Sequence, residues 1–561
     1  MQIRSARLLF LLGFLGSVHA DEALPTVWLG PRDSGRVIQD KTFTGYTRIP
    51  ISDCSPVASL PPDSDYRLPD TPGILVADLP ADLPLPPPGG FRRDNRESAA
   101  LPVVFSIHAD GSTTQLLPAA WPDFALPAAP FRLVSDANAA PLLVSPPDNA
   151  PVEQWRNDPD LSLQGFWRYS WSDSRVAASV RPGERLLALR ETPAYGPGEV
   201  NLCRAVNVRS GLTRNKRYYL DRAARKLFLV PPAVNSPEAA PVAFGIATRP
   251  GVCMEIQNAT NLTLRNVTFA GIRGTALKAL HCPGLRLVDC TFAEIGGSSA
   301  IELVDCPDLH IEGGSVSDVS ERAVQLLAGD RKSLEPGRAQ IRNVRFRNIG
   351  VIAHTYAPAI LLEGCGNTVE GCSFRETPSS AIRLEGNNHS VLSNSFVNCL
   401  QRSDDQGVID IWGDPSYRGN RISSNLFRDV GHSSEESPAP PALGRCAIRL
   451  DDLIGYTQID GNRFERASQG RFGAIQINGG GHNTITGNSY LECPIAISIQ
   501  RWNADRWDRT FQEPRTRDIL CRQISLEHPA WQTAYPGISF DAIYHAGPGT
   551  NLCLDATPTF W

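Results

Sequence analysis

Val391-Leu392-Ser393-Asn394-Ser395-Phe396, Ile422-Ser423-Ser424-Asn425-Leu426-Phe427 and Ile459-Asp460-Gly461-Asn462-Arg463-Phe464 decide the fold. In each, an aliphatic residue precedes an aromatic one by five positions. The same pair recurs as Leu264/Phe269, Leu287/Phe292, Ile311/Val316, Ile341/Phe346, Val369/Phe374 and Ile485/Tyr490, at intervals of 22 to 37 residues. Each unit is too short for a helix and is flanked by Gly and Asn, so each reads as a strand. A unit of this size cannot bury its apolar face alone and must stack on its neighbours. The third residue after the aliphatic is Cys372, Asn394, Asn425, Asn462 and Asn488 in the last five units. Side-chain amides stacked in such a column hydrogen-bond along it and stabilise parallel stacks.

A second strand type precedes most units: Ile382/Leu384, Ile409/Ile411, Ile448/Leu450, Ile475/Ile477 and Ile497/Ile499. Alternation turns these aliphatics inward. It turns Arg383, Glu385, Asp410, Trp412, Arg449, Asp451, Gln476 and Asn478 outward, towards solvent. The predicted fold is all-β: a right-handed parallel β-helix solenoid with an N-terminal inserted β-rich domain and a C-terminal cap. A leucine-rich horseshoe would need shorter, stricter repeats with helical segments.

Working outward, residues 1–20 read as a secretory signal, with Arg4 and Arg7 before an apolar Leu8–Leu15 and a small Ala20 before Asp21. The expected product is secreted or periplasmic, with no membrane span. Residues 21–50 are expected to supply the first strands of the solenoid. Residues 51–245 form the inserted domain, with 165–169 and 185–189 as strands and 218–222 with 226–229 as a hairpin-like pair. The solenoid proper is expected at 246–505 and the cap at 506–561, which carries Trp507, Trp531 and Trp561. With 46 Gly and 46 Pro in 561 residues, turns must be frequent. A net charge of −5 without a basic block argues against nucleic acid as a partner. Thirteen cysteines leave at least one unpaired; Cys282/Cys290 and Cys365/Cys372 are candidate bridges, with buried free thiols as the alternative. No phosphate-cradling loop or zinc spacing is present, so no organic cofactor and no metal are expected.

Several stretches occur in an order that resembles the family 141 β-helix glycoside hydrolases, whose described members include an α-L-fucosidase and a xylanase. They are Gly386-Asn387-Asn388-His389, Ser403-Asp404-Asp405-Gln406-Gly407-Val408-Ile409, Gly413-Asp414-Pro415-Ser416-Tyr417-Arg418-Gly419-Asn420 and Ala447-Ile448-Arg449-Leu450-Asp451-Asp452. Upstream, Arg217–Arg222 with Lys226-Leu227 resembles the segment closing the inserted domain of those proteins, and Gly30–Gly35 the end of their first strands. The resemblance implies acidic catalysis on a polysaccharide or oligosaccharide. Asp405 matches an Asp before a Gly-Ala-Ile-Tyr strand, Asp414 an Asp before an Arg-Gly-Asn turn, and Asp451 and Asp452 a paired Asp. Three positions depart: Asp410 stands where Tyr is usual, Gly413 where Arg is usual, and Arg428 where His is common.

Glycosidic hydrolysis uses two carboxyl groups, one protonated and one ionised. The catalytic candidates are Asp405, Asp410, Asp414, Asp451 and Asp452, on two successive coils. Asp410 and Asp451, one coil and two strand positions apart, have Cα atoms roughly 8 Å from each other. Trp412, Arg383, Arg449 and His389 are the candidate substrate-binding residues. Turn or ion-pair roles compete at several of these: Asp404 as a turn residue, Asp414 before Pro415, and Asp410 between Arg383 and Arg449. Two other functions stand beside the hydrolase. A polysaccharide lyase or uronate epimerase would use Arg383, Arg418 and Arg449 with Ca²⁺ held by the acids. A non-catalytic carbohydrate-binding surface protein is favoured by the three departures.

Overall fold

The computed structural model describes residues 24–57, 68–86, 101–124, 126–136, 138–432, 443–547, 553–554 and 559–560. The expected signal segment and Trp561 lie outside the described residues.

Three long parallel sheets wind around one core. The first runs through Val252–Gln257, Thr275–Leu280, Ser299–Val304, Arg322–Asp330, Ile360–Cys365, Ile382–Asn387, Gln406–Ile411, Gly444–Leu450, Ile475–Asn478 and Ile497–Gln500. The other two take the short strands on either side of each Asn position, for example Ser390–Leu392 and Ser395–Cys399. The aliphatic–aromatic unit is therefore two strands and not one. Its aliphatic lies on the second sheet and its aromatic on the third, with a corner between them. The residue before the Asn column makes that corner by adopting positive φ: Ser393 at 55°, Ser424 at 59°, Gly461 at 64° and Gly487 at 62°. Short polar residues and glycine tolerate this conformation best.

Two columns hold the coils in register. Asn394 accepts the backbone N–H of Cys372 at 2.8 Å, and Asn425 accepts that of Asn394 at 2.8 Å; Asn462 and Asn488 continue the series at 3.0 and 2.9 Å. Each of these Asn amides also donates to a backbone carbonyl of an earlier coil. Inside, Phe346, Phe374, Phe396, Phe427, Phe464 and Tyr490 stack with ring centroids 4.8 to 5.2 Å apart. Each such contact adds ~0.5–1.5 kcal/mol beyond area burial. The chain is a right-handed parallel β-helix, the hand that parallel crossovers adopt.

Residues 27–29, 37–39 and 42–44 pair with strands beginning at residues 252, 263 and 268, so they form a first coil. The chain then leaves the solenoid. Thr47–Pro50 and Pro241–Ala247 run antiparallel, which sets departure and return side by side. Between them, six strands close into a ring, because Ala129–Leu133 pairs with both Leu143–Ser145 and Val200–Val206. Phe131, Trp155, Leu163, Trp167 and Val176 fill it. Arg217–Asp221 and Lys226–Val230 form the antiparallel pair read from the sequence. After the last long strand, helices Ala504–Gln512, Pro514–Asp518, Pro529–Ala534 and Phe540–Ala546 pack around Trp502, Trp507, Phe511, Leu520 and Trp531. They lie against the flank of the solenoid, where Trp531 Nε1 donates to the Arg331 carbonyl at 2.9 Å. Cys553–Leu554 and Thr559–Phe560 add a last rung to the second and third sheets.

The twelve cysteines whose side chains are described are free. The bridges Cys282/Cys290 and Cys365/Cys372 do not form. Cys282, Cys290 and Cys372 instead direct their thiols at backbone carbonyls of the corners, for example Cys282 to Leu280 at 3.2 Å.

Candidate active site

The register of the first sheet sets Asp410 beside Arg383 on one neighbouring strand and Arg449 on the other. Ile411 pairs with Leu450, so Asp451 is one coil and two positions from Asp410. Asp405 ends the corner before Gln406–Ile411 with φ of 54°, a conformation Asp tolerates, and its N–H donates to Gly444. Asp452 follows Asp451 with φ of 48°. Asp405, Asp410, Asp451 and Asp452 thereby line one cavity of about 290 Å³ with Trp412 and Arg449.

This face is not open to solvent as alternation alone implied. Asp410 is 2% exposed and Asp451 9%. Trp171 and Tyr195 from the inserted domain, Tyr356 from the loop before Ile360 and Arg506 from the tail wall the cavity. Asp404 anchors one wall. Its carboxylate accepts from Ser170 Oγ at 3.0 Å and from the N–H groups of Leu443 and Gly444 at 2.9 and 2.8 Å. Ser170 lies between Tyr169 and Trp171, whose rings stack 4.2 Å apart. Tyr195 meets Tyr356 hydroxyl to hydroxyl at 3.5 Å, and Tyr356 meets Trp412 edge-on at 6.1 Å.

Arg449 organises the acids. Its Nη2 lies 2.8 Å from Asp405 Oδ1 and 2.9 Å from Asp451 Oδ2. Its Nη1 donates to the Asp405 carbonyl. Asn478 Nδ2 donates to the other oxygen of Asp451 at 2.6 Å, and Asn478 is itself fixed by Trp502 Nε1 at 2.7 Å. Arg383 makes no ion pair with Asp410. It pairs with Glu385 at 2.6 Å and lies 3.5 Å over the Trp412 ring.

Asp410 is thus flanked by two arginines and bonded to neither, and its Oδ1 has no hydrogen-bond partner. Burial pushes its carboxyl up to about 7, against the pull of Arg449 and Arg383 and with the push of Asp451 and Asp405. Asp405 is raised to about 6, first by burial, with Arg449 opposing and Asp451 adding. Asp452 is raised to about 6 by burial and then by Asp451, with Arg506 opposing at 3.4 Å. Groups poised in this way can exchange a proton near neutrality.

Two sequence candidates are corrected. Asp414 does not line the cavity. Its carboxylate accepts from Ser416 N–H at 2.9 Å and from Ser416 Oγ, and it pairs with Arg331 at 3.0 Å, so it closes a turn. His389 does not line the cavity: it is fully buried, and its Nδ1 accepts the Asn367 N–H at 3.2 Å. Burial lowers it to about 3, so the ring is neutral. Arg428, at one of the departures, pairs with Glu465 on the third sheet, away from the site. Trp171, Tyr195 and Arg506 were not singled out from sequence. The aromatic density of Phe166-Trp167-Arg168-Tyr169-Ser170-Trp171 was the one available signal for the first of them.

No family model and no curated protein sequence matches the chain. A solved structure described as a glycoside hydrolase aligns with TM-score 0.55 at 14% identity, over 92% of this chain and 95% of its own. The complex of XylC with xylose aligns with TM-score 0.40 at 10% identity, over 86% and 80%. The catalytic domain of a GH87 α-1,3-glucanase in complex with nigerose aligns with TM-score 0.26 at 10% identity, over 69% and 81%. The first of these likenesses shows the fold: the chain is a β-helix protein of the architecture found in that glycoside hydrolase.

Proposed function

We propose that the protein is a glycoside hydrolase that cleaves a polysaccharide or oligosaccharide, with Asp410 as proton donor and Asp451 as the second carboxyl of the pair. Asp405 balances charge through the shared Arg449, and Trp412 with the facing aromatics receives the sugar ring. The observation that carries this reading is the unbonded Asp410 carboxyl. It is held up to about 7 in an aromatic-walled cavity beside two acids that share one guanidinium. A carboxyl that keeps its proton near neutral pH, set beside a second carboxyl held by an arginine, fits the two-carboxyl arrangement glycoside hydrolysis uses. A solved glycoside hydrolase of the same fold supports it. Export through a leader ending at Ala20 belongs to the same proposal, since polymeric substrates lie outside the cell.

The lyase reading requires Ca²⁺ among these acids. Asp405 and Asp451 do not suit it, because the Arg449 guanidinium already sits between them with the charge a cation would bring. A reducing-sugar screen across purified neutral and acidic polysaccharides tests the assignment, with Asp410→Asn and Asp451→Asn as controls. Hydrolysis lost in both variants is expected. Hydrolysis retained in both, or an EDTA-sensitive ultraviolet-absorbing unsaturated product, would overturn it.

A further inference from the structure

Three cavities adjoin along the seam between the solenoid and the tail helices. The catalytic cavity ends at Asp452 and Arg506. Those two residues also line a second hollow of about 380 Å³ that reaches Pro415 and Leu453. Pro415 and Leu453 in turn border a third, of about 400 Å³. The last two fall within the size range of small-molecule sites.

The third cavity holds a charge without a counterion. Arg418 is 6% exposed, and among the described residues no carboxylate pairs with it. Its Nε has no hydrogen-bond partner. Rings flank it instead: Tyr456 at 4.2 Å and Tyr535 at 5.9 Å from the guanidinium carbon. Other arginines nearby are matched, Arg449 by Asp405 and Asp451, Arg331 by Asp414, and Arg383 by Glu385. A buried charge is costly unless paired, so an unpaired one lining a cavity suits a ligand that brings the opposite charge. His482 in turn stacks on Tyr456 at 4.7 Å. The hollow between carries Arg506, Arg509 and Arg515 against Asp452 and Glu513. The path away from the catalytic acids is therefore net basic.

We propose that this groove binds an acidic glycan, with the anionic substituent of a distal sugar on Arg418. The substituent is a carboxylate or a sulfate, which share the planar or fork-matched oxygens that a guanidinium recognises. The inference rests on the hydrolase reading for its direction: the scissile bond lies at Asp410 and the acidic sugar further along the seam.

Calorimetric titration of the Asp410→Asn protein, which cannot turn over substrate on this reading, tests the groove by binding alone. The probes are a galacturonate trimer, a sulfated galactose trimer and xylotriose. At least one anionic trimer should bind tenfold or more tighter than xylotriose, and the one preferred identifies the substituent. Adding Arg418→Met should remove that preference and leave xylotriose binding unchanged. Ala534→Trp, an exposed position lining the same cavity, should block it sterically with the charge intact. Thermal melts report folding, and if Arg418→Met does not fold, Ala534→Trp decides. Failure of both anionic probes to bind, equal affinity for all three, or affinity unaltered by both variants would overturn the proposal. Turnover by the native protein is scored apart. Hydrolysis indifferent to both variants sinks this inference and spares the hydrolase reading; Arg418-dependent binding with no hydrolysis of any glycan does the reverse.

Discussion

Replacing Asp410 by Asn imitates the protonated acid in shape and removes its ability to ionise. The buried carboxyl titrates at about 7 in place of its ordinary 3.8. Between those values the folded protein holds a proton that the unfolded chain releases. Stability contributed by this group is therefore full at low pH, falls as pH rises through that window, and is flat above about 7. Each pH unit is worth ~1.4 kcal/mol, so ionising Asp410 costs the folded state up to ~4 kcal/mol by pH 8. Asn has no such cost. Urea denaturation of the two proteins from pH 4 to pH 8 should show Asp410→Asn gaining on the native protein steadily, with most of the gain before pH 7. Any fixed penalty from the Asn amide offsets the curves without changing this slope. Activity should move the other way, falling ~10²–10⁴-fold at the optimum as a positioned acid is lost. Parallel stability curves would mean that Asp410 is already ionised in the folded protein, and would refute the role given to it.

The pH profile of kcat/KM should be a narrow bell, its limbs set by a cluster titrating between about 6 and about 7, and a broad plateau from pH 5 to pH 9 would contradict it. Glu385→Gln should free Arg383 towards Asp410 and remove a nearby negative charge, so the alkaline limb should shift to lower pH; an unmoved or raised limb counts against the geometry. Asp414→Asn should lower stability by about 1–3 kcal/mol through loss of the Arg331 pair, with kcat unchanged, as read by melts and initial rates. Asn425→Ala strips a buried acceptor from Asn394 and a donor from the Val391 carbonyl, and should cost at least ~2 kcal/mol in denaturant titrations without altering KM.

The solenoid was legible because its rules are local. An inward aliphatic, a corner residue able to take positive φ, an amide and an aromatic recur at each coil, and each carries its own physical reason. Reading the unit as one strand went wrong because period-2 alternation says nothing about a bend; the evidence for the bend lies in Ser393, Ser424, Gly461 and Gly487, one position before the amides. The acids at 405, 410, 451 and 452 were legible because stacking turns remote sequence into lateral neighbours. His389 and Asp414 misled for a common reason. Both stand in motifs rich in polar residues, and those motifs serve corners, where Asn367 and Ser416 take up their hydrogen bonds. The roof of the site was not legible at all. Trp171, Tyr195 and Arg506 arrive from segments whose approach to the solenoid no repeat dictates.

Burial raises the Asp410 carboxyl, and the outward column of the first sheet shows why its arginines do not cancel the rise. Read across successive coils it runs Trp28, Glu255, Lys278, Glu302, Gln325, Leu361, Arg383, Asp410, Arg449 and Gln476. Two triplets in it alternate in sign, Glu255-Lys278-Glu302 and Arg383-Asp410-Arg449. By register alone the second should be an ion-pair ladder with Asp410 satisfied from both sides, and its carboxyl should be an ordinary structural carboxylate. Acids outside the column prevent this. Glu385 draws Arg383 along its own strand and over Trp412, while Asp405 and Asp451 hold Arg449 by one nitrogen. Each diverted arginine gains a partner, and Asp410 is left with an unbonded oxygen in a covered cavity. The solenoid fixes where the backbones lie. Burial raises this carboxyl, and competition for the two arginines one coil to either side of it keeps them from cancelling the rise.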